Sequence, residues 1–179
     1  WHGRGGEPLG VGWVARDVHA GGRCCAVLGS LVLVLANSSE YGSREGRRGA
    51  GSWLDAKRGK VDCLAIGICN PFRRCAVADK LTSLYPDISW PSLIHPTAIY
   101  DKDSCRIGPG VLICAGAICT INIELGQFAL INFGCTIGHD VRVGRGFVGN
   151  TGANIPGGVS CVEEVLVWTG ATGIQSRQG

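Results

Sequence analysis

Four histidines occur in the chain, His2, His19, His95 and His139, and His139 has the neighbours a base would need. It is followed directly by Asp140. An imidazole beside a carboxylate suits proton transfer near neutral pH, because the carboxylate fixes the ring tautomer and favours the imidazolium form. Eighteen residues further on lies Gly157, between Pro156 and Gly158. Glycine leaves its backbone N–H open to a close approach, and an N–H aimed at a carbonyl oxygen stabilises the oxyanion of acyl transfer. Each residue also has a plainer reading: a surface histidine without a role, an aspartate capping a corner, a glycine shaping a turn.

The eighteen-residue spacing has meaning because the sequence repeats every six. Stepping by six from Ile107 gives Ile113, Cys119, Leu125, Ile131, Ile137, Val143, Gly149, Ile155, Cys161 and Val167, apolar except at Gly149. Four residues after each stands a second apolar series, from Val111 and Ala117 through Phe147 and Ala153 to Ala171. A short fixed period marks a stacked coil, and a period of six points to a parallel β-helix. Each hexad is expected to form one short strand and a corner, and three hexads one triangular coil. Stacked strands lie about 4.8 Å apart, so residues eighteen apart should face one another on neighbouring coils. His139 and Gly157 are such a pair.

Upstream of the coil, which begins near Leu93, the pattern changes. The apolar stretch Cys24 to Ala36 is long enough for a helix. Residues 37–60 read as loop. Val61 to Ile66 reads as a buried strand ending at Gly67, and Pro71 to Leu84 as a helix capped by Asn70 with Pro71 at its first position. Pro86 and Pro91 mark a linker. That order suggests a small α/β domain with a parallel sheet over residues 1–88, followed by the coil domain over 89–179.

Composition narrows the functional classes. Residues 1–80 hold twelve Lys or Arg against seven Asp or Glu, while residues 81–179 hold five against seven. A basic excess of that size gives no nucleic-acid interface without basic and aromatic side chains gathered on one face. A solvated basic surface accounts for it, with an anionic ligand such as a nucleotide phosphate as the other reading. No apolar run reaches eighteen residues, so no membrane span is expected. Among the ten cysteines no pair is spaced C-x-x-C, and Cys119, Cys135 and Cys161 fall on apolar positions of the repeat. They read as reduced thiols packed as small hydrophobes, hence as a cytoplasmic protein.

Three segments carry a family resemblance: Leu93-Ile94-His95-Pro96-Thr97-Ala98, Ile107-Gly108-Pro109-Gly110, and Ile131-Asn132-Phe133-Gly134-Cys135-Thr136-Ile137-Gly138-His139-Asp140. Together they resemble the sugar O- and N-acetyltransferases of the left-handed β-helix type, which include the sialic acid O-acetyltransferases and the nucleotide-amino-sugar N-acetyltransferases. The resemblance covers residues 93–172 well and 61–92 loosely. It implies a Rossmann-like acceptor-binding domain before the left-handed parallel β-helix. It further implies acetyl transfer from acetyl-CoA to a sugar or nucleotide-sugar acceptor, in a homotrimer with its active sites between subunits. His139 matches the family's general base and Asp140 the carboxylate beside it. Gly157 matches the glycine whose amide meets the thioester carbonyl. Gly152, Ala153, Gly170 and Ala171 match small residues along the pantetheine arm, and Asn132 an asparagine of the active-site stretch. Gly21, Gly22 and Arg23 fall in the turn that helps to hold the acceptor.

The departures from the family pattern are specific. In the turn His19-Ala20-Gly21-Gly22-Arg23, His19 replaces a glycine and Arg23 stands where a histidine is expected. Val148 occupies the position of a second histidine, and Val162 and Glu164 those of two corner glycines. The repeat is still running at Gly173 and Gln175, and the chain has no methionine, which reads as a fragment or a divergent copy. Two other readings follow. One is a catalytically impaired trimeric scaffold. The other is a zinc hydratase of the γ-carbonic-anhydrase kind, which needs three converging histidines, whereas His139 alone lies inside the repeat with His95 at its edge. No metal is therefore expected.

Overall fold

The computed structural model describes the backbone of Val32–Leu35 and residues 63–173. Val32–Leu35 (β1) pairs in parallel with Cys63–Ile66 (β2), from Val32 opposite Cys63 to Leu35 opposite Ile66. This corrects the helix expected over Cys24 to Ala36, at least across its Val-Leu-Val-Leu end. Length favoured a helix there, but alternating valines suit a pleated strand, and a partner strand is available. All four residues of β2 are buried. Pro71–Leu84 forms α1 as expected, with the Asn70 Oδ1 accepting the Arg73 N–H at 3.0 Å.

From Leu93–Ile94 (β3) to Leu166–Val167 (β15) every strand is two residues long. The strands stack into three parallel ladders, which are the faces of a triangular coil of just over four turns. The first face runs Leu93–Ile94, Leu112–Ile113, Leu130–Ile131, Val148–Gly149, Leu166–Val167. The second runs Ile99–Tyr100, Ile118–Cys119, Thr136–Ile137, Asn154–Ile155. The third runs Arg106–Ile107, Glu124–Leu125, Arg142–Val143, Ser160–Cys161. From the third face onward, partners are eighteen residues apart, as Thr136 and Asn154 are. The first coil departs from this ruler. Leu93 pairs with Leu112 and Ile99 with Ile118, nineteen apart, because one extra residue is accommodated in the turn at 101–105. There the Ser104 N–H donates to Asp101 Oδ2 at 3.1 Å and the Cys105 N–H to the Asp101 carbonyl at 3.1 Å.

Both apolar series point inward. Val111, Ala117, Ile123, Ala129, Cys135, Val141, Phe147 and Ala153 are fully buried, and they pack with Ile113, Cys119, Leu125, Ile131, Ile137 and Val143. Gly149, the gap in the first series, is filled by its neighbours. A Cβ there would lie 2.9 Å from Cys135 Sγ and 3.3 Å from Phe147. The large Phe147 ring takes the volume that a sixth-residue side chain would otherwise occupy.

From Gly110 onward each corner carries a residue in the left-handed region. These are Gly110, Gly116, Asn122, Phe128, Gly134, Asp140, Gly146, Gly152, Gly158, Glu164 and Gly170, with φ between 54° and 72°. Glycine adopts that conformation without penalty, whereas Phe, Asp, Glu and Asn do so at a cost.

The corner between the third and first faces is covered by α1. Arg74, fully buried, reaches across the contact. Its Nε donates to the Phe128 carbonyl at 2.5 Å, Nη1 to the carbonyls of Ile66 and Ile68, and Nη2 to the Gly110 carbonyl at 3.4 Å. Burial pulls its pKa down to about 10, against the raising effect of the Cys69, Cys75 and Cys114 thiols, so it remains charged at neutral pH. Trp90 packs edge-on against Phe128 with ring centroids 5.2 Å apart. Arg145 pairs with Asp79 at 2.5 Å and lies over the Phe128 ring.

Candidate active site

His139 occupies the middle of the corner that follows Thr136–Ile137, between the second and third faces. The middle of a corner projects away from the core, which explains why its side chain is 64% exposed although Ile137, two residues earlier, is fully buried. Backbone bonds hold this corner from both neighbouring coils. The Gly138 N–H donates to the Ile155 carbonyl at 2.8 Å, Gly158 N–H to the His139 carbonyl at 2.7 Å, and Asp140 N–H to the Ile121 carbonyl at 3.1 Å.

The imidazole Nδ1 lies 2.8 Å from Asp140 Oδ2. An ionised carboxylate can only accept, so Nδ1 carries the proton and the Nε2 lone pair is left free. The other carboxylate oxygen, Oδ1, accepts from Asn122 Nδ2 at 3.0 Å. The hydrogen bond from His139, and after it that from Asn122, holds the Asp140 carboxyl below its usual range. Both members of the His139–Asp140 pair are more than half exposed, so its value lies in orienting the ring rather than in stability.

Gly157 lies against the ring, as the eighteen-residue ruler implies. A Cβ on it would come within 2.7 Å of His139 Nε2 and 2.9 Å of Cδ2 and Cε1. The bare backbone is thus what lets the imidazole sit where it does. Gly138 is as constrained, since its Cβ would meet the Gly157 nitrogen at 2.4 Å. Among the described residues, no backbone carbonyl takes the Gly157 N–H.

The remaining candidates fall elsewhere. Asn132, Gly152 and Gly170 belong to the corner between the first and second faces; Gly152 and Gly170 are stacked eighteen residues apart, and Asn132 opens the corner one coil earlier. Asn132 Oδ1 accepts its neighbour Phe133 N–H at 2.9 Å. Gly152 and Gly170, with φ of 68° and 66°, have open space within 4 Å of where a Cβ would be, and form a bare ledge. Ala153 points into the core and is fully buried, while Ala171 is half-buried. Within one chain the second face separates this ledge from His139. Gly21, Gly22 and Arg23 lie outside the described residues, as does His19. Val148 is fully buried, and Glu164 takes the left-handed φ of 58° at its corner. Asn122 is the site residue that the sequence reading missed. Its signal was its position eighteen residues before Asp140, on the same left-handed corner site.

Among the described residues no three His, Cys, Asp or Glu side chains come together to hold a metal ion, and no helix is long and apolar enough to cross a membrane. Among the described residues Cys69, Cys75, Cys105, Cys114, Cys119, Cys135 and Cys161 are free thiols.

The coil and its corner define a parallel β-helix built of hexapeptide repeats. No protein-family model matches the chain, and no curated protein does. Solved structures do. A mutant of perosamine N-acetyltransferase from Caulobacter crescentus, in complex with CoA and GDP-perosamine, superposes with a TM-score of 0.55 at 23% identity, covering 69% of this chain and 65% of that one. WeeI from Acinetobacter baumannii AYE gives 0.64 at 21% identity, over 80% of this chain and 67% of that one. The acetyltransferase domain of PglB from Neisseria gonorrhoeae FA1090 gives 0.53 at 19% identity, over 70% and 74%. At these identities the likeness establishes the shared fold. The chain spans about 65% of the length of the Caulobacter protein.

Proposed function

We propose that this protein is an acetyl-CoA-dependent sugar acetyltransferase that works from the His139 corner. The observation that carries the reading is the imidazole itself: its Nδ1 is held at 2.8 Å by Asp140, and its Nε2 lies against the bare backbone of Gly157. A base, and on the next coil an amide that no described backbone carbonyl takes, are the two groups that acyl transfer needs. The named activities of the structural neighbours support the same chemistry, and the GDP-perosamine bound by one of them supports a nucleotide-linked amino sugar as the acceptor. A sialic acid hydroxyl is the other acceptor to test.

In this mechanism His139 Nε2 takes the proton from the acceptor amine or hydroxyl as it attacks the thioester carbonyl. Asp140 keeps the proton on Nδ1, so Nε2 is the accepting atom throughout, and it stabilises the imidazolium that forms. The Gly157 N–H faces the developing oxyanion. When the carbonyl re-forms, the C–S bond breaks and the thiolate takes the proton back from Nε2. Gly152 and Gly170 offer the open ledge for the pantetheine arm, with Ala171 beside them. Ala153, buried, contributes backbone only. Asn132 and, from the N-terminal segment, Gly21, Gly22 and Arg23 complete the acceptor side.

The reading carries a left-handed coil and a division into an acceptor-binding domain over 1–88 and a coil domain over 89–179. It also carries a homotrimer in a cytoplasmic setting. Support for self-association comes from large apolar side chains left exposed on the second face and its two corners: Ile99 at 63%, Ile121 at 52% and Phe133 at 48%. Light scattering at the trimer mass is the expected result.

The test is acetyl transfer to a nucleoside-diphosphate amino sugar and to sialic acid, read by mass spectrometry, for the parent and for His139→Ala. Loss of the base should slow transfer by about 10²–10⁴-fold. A parent that transfers no acetyl, or a variant as fast as it, removes the assignment. The second reading, a catalytically impaired scaffold, rests on Val148, a buried valine where the resemblance expects a histidine. Calorimetry with CoA separates the two, because micromolar binding contradicts a scaffold.

A further inference from the structure

Asn122, Asp140 and the turn below them form a column of side chains that the proposed reaction does not by itself require. Ser104, Asn122 and Asp140 stand eighteen residues apart, on three successive coils. The Ser104 hydroxyl donates to Asp101 Oδ2 and accepts the Asn122 N–H at 2.9 Å. Asn122 Nδ2 then donates to Asp140 Oδ1 at 3.0 Å, and Asp140 Oδ2 takes the His139 Nδ1–H at 2.8 Å. The extra residue in the turn at 101–105 falls before Ser104, so Ser104 already stands in the eighteen-residue register beneath Asn122. A carboxylate at one end thus fixes a hydroxyl, the hydroxyl a backbone, and the carboxamide a second carboxylate.

Backbone conformation points the same way independently. Asn122 and Asp140 have φ of 54° and 56°, at corner positions where seven other residues are glycine. Asn and Asp tolerate the left-handed region better than most side chains, but glycine would occupy it with less strain. Two consecutive coils at this corner forgo that relief, and both non-glycine side chains meet on the carboxylate that touches His139. Strain of this kind clusters where a side chain has a task.

We infer that Asn122 is a positioning residue: its carboxamide holds the Asp140 carboxylate so that Oδ2 faces the imidazole and keeps the proton on Nδ1. The inference rests on the proposed base role of His139 for its catalytic meaning, while the tautomer itself is a property of the resting protein. An ionised carboxylate on an exposed corner can rotate about two torsions. The bond to Oδ1 removes that freedom and leaves Oδ2 in the ring plane's reach. Other groups around Asp140 are His139 and the Arg142 cation, and Arg142 is engaged with Glu124 at 3.5 Å.

Two substitutions isolate the carboxamide. Asn122→Gly deletes it and relieves the backbone, so it should leave the folded chain as stable or more so. Asn122→Asp keeps the shape and replaces the donor by an acceptor. The readout is the imidazole nitrogen spectrum of the ¹⁵N-labelled full chain, with the His139 signal assigned by its loss in His139→Gln. The parent should hold mainly the Nδ1–H tautomer, and both variants should move toward Nε2–H. With an active parent, kcat should fall about tenfold in both variants, as for other outer-shell partners, while KM stays within about twofold. An unchanged tautomer ratio in both variants overturns the inference, whatever the activity. If the parent transfers no acetyl yet the tautomer shifts, the positioning role stands and the proposed reaction falls.

Discussion

At the corner that carries His139, the imidazole and its carboxylate are 64% and 57% exposed, and polar side chains from successive coils bond to one another. At the corner that carries Phe128 and Gly146, a helix lies across the same backbone turn, and Arg74 is sealed beneath it. The two corners share their strand spacing, their left-handed third residue and their ladder of coil-to-coil hydrogen bonds. What differs is what the outward residues meet. One corner keeps side chains whose polar atoms face solvent and a glycine neighbour. The other offers backbone carbonyls to a guanidinium and an aromatic face to Trp90 and Arg145. A repeat backbone therefore becomes a covered joint or an open polar corner according to its outward residues, without any change in its path.

That contrast is most severely tested at Arg74. Arg74→Met fills similar volume and leaves the carbonyls of Ile66, Ile68, Phe128 and Gly110 without this donor. Buried carbonyls without donors are expensive, so urea unfolding should show a loss of about 3 kcal/mol or more. His139→Ala, at the exposed corner, should change stability by no more than about 0.5 kcal/mol. Equal losses would mean that the joint contributes no more than the open corner.

A matched pair of glycines separates backbone strain from packing. Gly146 and Gly152 have φ of 69° and 68°, so alanine strains both alike. At Gly146 the new Cβ would lie 2.3 Å from Cys75 Sγ, whereas at Gly152 it meets nothing within 4 Å. Gly152→Ala should cost about 1–2 kcal/mol from the left-handed backbone alone. Gly146→Ala should cost about 1–3 kcal/mol more, through overpacking against α1. If the two variants unfold at the same urea concentration, the helix does not press on that corner.

Much of this fold was readable because each coil core is made by two apolar series whose period has no exception but Gly149. The cap on α1 was also legible, since Asn70-Pro71 pairs a side-chain acceptor with a residue that lacks an N–H. Other features were hidden for physical reasons. Val32–Leu35 sits in an apolar run long enough for a helix, and only its pairing with Cys63–Ile66 decides otherwise. Arg74 lies on a helix whose other positions mix charge and apolarity, and nothing in sequence says that a cation will be satisfied by carbonyls from four distant residues. Asn122 escaped because an asparagine at a corner reads as a turn residue, and only its side-chain bond to Asp140 on the next coil gives it a second part. The closeness of His139 to Gly157 was legible because they stand eighteen residues apart, and that of His139 to Asp140 because they are adjacent.

At the open corner the corresponding test is Gly157→Ala. The steric conflict is with the end of a side chain, since the new Cβ would lie 2.7 Å from His139 Nε2. The ring can swing away, so stability should fall by less than about 1 kcal/mol. In the proposed reaction this displaces the base from the acceptor, and acetyl transfer should drop by about 10²-fold. A variant that is strongly destabilised, with its residual activity unchanged per folded molecule, would show that this glycine serves the coil rather than the imidazole.

The gentlest probe uses a thiol already in the joint. Cys75 is buried against Gly146, and burial pushes its pKa up to about 11, with Glu164 and Asp79 acting in the same direction and Arg145 against it. Maleimide at neutral pH should therefore label the exposed Cys69 quickly and Cys75 slowly, because the reacting thiolate is both scarce and covered. The sign of the pH effect follows from the proton count. Between about 9, the ordinary thiol value, and about 11, the native chain keeps a proton on Cys75 that the unfolded chain has released. Stability should decline as pH rises through that window, and less steeply in Cys75→Ala than in the parent. In Arg74→Met, Cys75 labelling should accelerate while Cys69 labelling stays the same. If Cys75 reacts as fast as Cys69 in the parent, the corner under α1 is as open as the one that carries His139.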